Sequence, residues 1–89
     1  MDDLTGRFAV SLAGRDKGAV CVIVGCDEDD NFVFIADGRA RRVESPKRKK
    51  IKHIKLVDWV PEGQRRITAE RFTNRLVREY IAALPAAEG

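Results

Sequence analysis

Phe8-Ala-Val-Ser-Leu-Ala-Gly-Arg-Asp-Lys-Gly-Ala-Val-Cys-Val-Ile-Val24 is the stretch that decides the fold. Phe8, Val10 and Leu12 alternate with Ala9 and Ser11, the period of two that marks a half-buried strand. Gly14-Arg-Asp-Lys-Gly18 is a polar turn bounded by glycines. Ala19 to Val24 then runs apolar on both faces and is rich in β-branched residues, as a central strand of a small barrel requires. The turn is no nucleotide-phosphate loop, because it lacks the Gly-Lys-Ser/Thr ending and leads into a strand.

Outward from this pair the strand signals continue. Asp27-Glu-Asp-Asp-Asn31 breaks the run, Phe32-Val-Phe-Ile-Ala36 resumes it, and Asp37-Gly38 is a strong hairpin signal. Arg39 to Val43 reads as the return strand. Ser45-Pro46 interrupts it, since proline lacks the ladder donor, and stiffens the entry to a basic loop. Ile51 to Val57, alternating basic and apolar residues, is the fifth strand. Five short strands at intervals of about ten residues fit a small, bent antiparallel barrel. The barrel is expected over residues 1–58, with a turn-rich connector over 59–67.

The period then changes. Phe72, Leu76, Tyr80 and Leu84 recur every four residues, one stripe of an amphipathic α-helix expected over 68–84. Thr68 is placed to cap its start and Pro85 to stop it. A helix of this length is marginal alone, so the stripe must be covered by the barrel or by a partner protein.

Charge narrows the function. Arg39 to Lys55 holds nine lysines and arginines against Glu44 alone, a formal +8 in a chain of net +3. The other 72 residues therefore sum to −5, and so concentrated a charge points to a polyanion. A solvated loop, a localisation signal and a membrane contact are the alternatives for a bare charge run. No apolar run is long enough to span a bilayer, and Met1-Asp-Asp-Leu-Thr-Gly6 lacks a secretory pattern, so a cytoplasmic protein is expected. Cys21 and Cys26 read as reduced packing residues, and with a single histidine no zinc site is expected. No cofactor is expected either. His53 lacks the carboxylate and nucleophile that base catalysis needs, so it reads as a strand histidine bonded to backbone or phosphate. Trp59 reads as a barrel cap. The acids Asp27 to Asp30 lack the spacing of a calcium loop and read as a solvated turn at the end away from the cations.

The order and spacing of several short pieces resemble one family. Gly6-Arg7, Ala13 to Gly18, Cys21 to Val24, Asp30 to Val33, Asp37-Gly38, Arg41-Arg42 and Lys52 to Ile54 are similar to the small bacterial KOW-domain RNA-binding proteins. Over about residues 6–57 they also resemble the archaeal and eukaryotic e-type family of large-subunit ribosomal protein fourteen. The resemblance implies a five-stranded SH3-like barrel that binds structured ribosomal RNA, or associates with the ribosome, without catalysis. It implies RNA contacts from Arg15 and Lys17 on the turn, from Arg39, Arg41 and Arg42, and from Lys47, Arg48, Lys49 and Lys50. Lys52, His53 and Lys55 complete the expected interface. The four phenylalanines all hold apolar periodic positions, so recognition of backbone and shape is expected rather than of base sequence. The rival expectation is an adaptor that grips a protein through the barrel and the Phe72/Leu76/Tyr80 helix.

Overall fold

A computed structural model describes residues 4–27, 31–57 and 73–84. Among these the chain is mainly β: β1 (Phe8–Ser11), β2 (Val20–Asp27), β3 (Phe32–Ala36), β4 (Lys47–Lys50) and β5 (Ile54–Leu56), followed by α1 (Asn74–Ala83). All pairings are antiparallel and the sheet order is β4-β3-β2-β1-β5. A turn of 3₁₀-helix, Ile51–His53, carries the chain from β4 to β5. The result is a small SH3-like barrel with a C-terminal helix.

Alternation sorts the strand residues onto two faces. Ala9, Cys21, Ile23, Val33, Ile35 and Ile54 form the barrel interior. Phe8 and Val22 point the other way, where they are fully buried beneath Val77 of α1. That second cluster explains why Val20 to Val24 is apolar on both sides: the barrel fills one face and the helix covers the other. Leu76, Tyr80, Ile81 and Leu84 pack into the same cluster, with Tyr80 edge-on to Phe8 at 6.4 Å between ring centres. The described part of the helix lays its apolar stripe on the barrel. Its N-cap is Thr73, whose hydroxyl accepts from the Leu76 amide. The starts expected at Thr68 and the readings of Trp59 and Phe72 lie outside the described residues. No described helix is long and apolar enough to cross a membrane.

The fourth strand is displaced from its expected place. Arg39 to Val43 forms a loop, and Lys47–Lys50, expected as a loop, is the strand that pairs with β3 from Ile35↔Lys47 to Phe32↔Lys50. The cause lies in Asp37. Its Oδ1 accepts from the amides of Arg39 and Arg41, and the Asp37 and Gly38 amides donate to the Arg41 carbonyl. Donors that a hairpin would send across a ladder are consumed within the turn, so pairing resumes only after Pro46. Helix α1 holds this loop from above. Asn74 Oδ1 accepts from the Val43 amide, Asn74 Nδ2 donates to Glu44, and Arg78 donates to the Gly38 carbonyl.

Candidate nucleic-acid interface

The glycine-bounded turn is built as its sequence requires. Gly14 and Gly18 have φ of 87° and 90°, a region that residues with a Cβ rarely enter. The Gly18 amide donates to the Ser11 carbonyl and the Ala19 amide to Asp16. Arg15 and Lys17 are thereby carried on an exposed tip.

Between this turn and the β3–β4 loop lies a groove of about 350 Å³. Ala19, Val20, Cys21, Ile35 and Ala36 contribute apolar lining, while Arg15, Arg41 and Lys47 bring three cations to it. Two acids also line it, but both are engaged. Asp37 caps its own loop, and Asp16 pairs with Lys49 at 2.9 Å. The arrangement leaves the cations as the charge available to a ligand, as a phosphate backbone demands. Arg39 and Arg42 are exposed on the same loop. Being in a loop, Arg41 and Arg42 are not held to opposite faces as a strand would hold them.

Lys49 is placed differently from its neighbours. Its side chain is 7% exposed, and Nζ donates to the Ala13 carbonyl at 2.8 Å as well as to Asp16. Facing inward on β4, it ties that strand to the turn and leaves little of its ammonium exposed. Burial by itself would raise the Asp16 carboxyl. The Lys49 and Ser11 hydrogen bonds, with the charges of Lys49 and Lys47, outweigh it and hold the group below the usual carboxylate range. Lys47 reaches Asp16 only at 3.8 Å and stays partly exposed, a contact of small energy.

Arg48 faces outward with Nε and Nη2 donating to Asp27 Oδ2 at 3.3 and 3.1 Å, and its guanidinium lies 3.6 Å over the Phe32 ring. The acidic segment therefore begins beside the basic strand. Asp27 pairs across from Phe32, which pairs across from Lys50, so this acid is not set at the far end as expected. Lys50 and Lys52 border a second depression, described below. His53 belongs to the 3₁₀ turn rather than to a strand, half-buried, with its carbonyl accepting from the Leu12 amide. Lys55 is exposed on β5 and lines neither depression. Most of the twelve expected residues thus divide between the groove and its loops, the outer face of β4 and one buried ion pair, with His53 and Lys55 in none of these.

The sequence reading missed Asp16, while of the two cysteines expected as packing residues Cys21 is buried and Cys26 is exposed. An acid between Arg15 and Lys17 was the available signal, since a lone carboxylate in a basic turn needs an internal partner. Cys21 donates its S–H to the Ala9 carbonyl at 3.4 Å, and burial, with Asp16 and Asp37 adding to it, pushes its pKa up to about 12. Its thiolate is scarce at neutral pH, so alkylation by iodoacetamide at pH 8 should proceed only as fast as the protein opens. Mass spectrometry of the alkylated Cys21 peptide, with and without denaturant, checks this.

No established family profile matches the chain. It is similar to the large ribosomal subunit protein eL14 of Staphylothermus marinus, 40% identical over 55 residues. The match covers 62% of this chain and 56% of that protein, so the chain spans little more than half the length of its relative. The relationship is ribosomal-protein-like.

Proposed function

We propose that the chain is a non-catalytic RNA-binding module of the KOW type, acting on ribosomal RNA as a ribosome component or assembly factor in the cytoplasm. One observation carries this reading. The glycine-bounded turn and the β3–β4 loop, more than twenty residues apart in sequence, bring Arg15, Arg41 and Lys47 to one groove. Cations gathered from separate elements hold a fixed geometry against a phosphate backbone, which a solvated basic tail does not. The likeness to a large-subunit protein favours ribosomal RNA as that backbone.

Fluorescence anisotropy with labelled ribosomal RNA fragments tests the proposal. With six or more phosphates contacted, affinity should fall about 10³-fold or more between 50 and 200 mM salt. Replacing Arg15, Arg39, Arg41 and Arg42 together by serine should weaken binding at least about 100-fold and reduce the salt slope by about 3. All four side chains are exposed, so the fold is preserved. A salt-independent titration, or a quadruple variant that binds like the native protein, would defeat the proposal.

A further inference from the structure

Two of the phenylalanines belong to neither hydrophobic core. Phe32 and Phe34 are half-buried on the outer face of β3, absent from the barrel interior and from the cluster beneath α1. In a chain with so few aromatic residues, two left on one open strand face call for an explanation. Arg48 and Lys50 pair opposite Phe34 and Phe32 on the same face.

We infer that this outer face of β3 and β4 is a stacking platform for unpaired RNA bases, distinct from the phosphate-binding groove. The inference rests on the RNA-binding reading and names the kind of RNA it takes. Three features support it. The Arg48 guanidinium is fixed on both counts that matter for stacking: Phe32 backs one side at 3.6 Å, and Asp27 sets its rotation through two hydrogen bonds. Its side chain is still 49% exposed, so the planar group is ordered yet accessible. A guanidinium plane accepts a base as an aromatic ring does, and single-stranded RNA is recognised through such surfaces.

The second feature is a depression of about 520 Å³ beside Phe32, lined also by Asn31, Lys50, Ile51 and Lys52. Ile51 is 38% exposed there, an apolar contact for a base or ribose. The third is charge. Lys50 and Lys52 lie at that depression where the strand's phosphates would pass, none of its lining residues is an acid, and Asp27 on the adjoining strand is paired with Arg48. An apolar protein partner would gain nothing from these lysines, whereas a polyanion with flat faces uses both aromatic and cationic groups.

The experiment compares a ten-nucleotide unstructured RNA with a duplex of equal length, using native protein, Phe32→Leu/Phe34→Leu and Arg48→Lys. Leucine keeps the strand apolar, and thermal unfolding verifies that each variant is folded. The double variant should bind the single strand about 10-fold or more weakly, while its salt slope and its affinity for the duplex stay unchanged. Arg48→Lys retains the charge but not the plane, and should weaken the single strand several-fold. Native-like binding of the single strand by the double variant, or an equal loss for both RNAs, overturns the platform alone. Failure of the native protein to bind either RNA overturns the functional reading and the platform together.

Discussion

Exchanging Asp16 for asparagine should destabilise the barrel by about 3 kcal/mol, because the change leaves the Lys49 ammonium in a buried site without its counter-charge. Lys49 is 7% exposed and has two partners, Asp16 and the Ala13 carbonyl, of which only the carbonyl survives as an unchanged acceptor. The Ser11 hydroxyl also donates to the same Asp16 oxygen, so the substitution disturbs the first strand as well as the fourth. Acid should mimic the mutation. The folded carboxyl titrates below its ordinary value, so its stabilisation is complete above about pH 4, the unfolded value, and is lost as pH falls through the lower folded value. Urea unfolding at pH 7 and at successively lower pH should show the gap between native and Asp16→Asn proteins widest at neutrality and closing in acid. A gap that does not change with pH would mean that the pair contributes packing and no charge.

Gly38→Ala should cost about 3 kcal/mol or more, through two independent penalties. At φ of 81° a residue with a Cβ is strained by about 1–2 kcal/mol. The added carbon would also lie 2.6 Å from the Asn74 carbonyl oxygen and 2.9 Å from Arg78 Cγ. The first of these is helix backbone and cannot rotate away, so α1 must shift and strain the Asn74 and Arg78 bonds to the loop. Gly18→Ala is the natural control. Its φ is 90° with nothing within 4 Å of the new carbon, so only the conformational cost of about 1–2 kcal/mol applies. Equal losses at the two glycines in urea titrations would show that helix docking adds nothing at Gly38.

These two sites mark where local pattern ended and tertiary context began. The first strand, the apolar run of β2 and the glycine-bounded turn are local signals and form where expected. The alternation of β1 does not set its burial, however: Ala9 and Ser11 are buried, Phe8 is covered by α1, and Leu12 is exposed past the strand end. A run of lysine and arginine has poor strand propensity, so Lys47 to Lys50 read as a loop. It extends along β3 because Lys49 meets an acid 33 residues away, a contact no window of sequence contains. Arg39 to Val43 had the better strand pattern but lost its donors to Asp37. The candidate interface was legible as charge and not as geometry. Nine cations within seventeen residues look equivalent until Lys49 turns inward and Arg48 is pinned to Asp27. Phe32-Val-Phe-Ile-Ala36 is apolar throughout, so whether its two rings or Val33 and Ile35 face outward depends on register with its neighbours.

The hold of α1 on the β3–β4 loop bears on affinity as well as stability. A free arginine-rich loop must be immobilised when it meets a ligand, at a cost of about 0.5–1.5 kcal/mol for each long side chain ordered. Here Asn74 and Arg78 fix the loop through the Gly38 and Val43 backbone and the Glu44 side chain before any ligand arrives. Much of the backbone ordering entropy is thereby charged to folding, and the guanidinium groups alone remain to be placed on binding. No described residue of the helix lines the groove, yet the helix preorganises one of its walls.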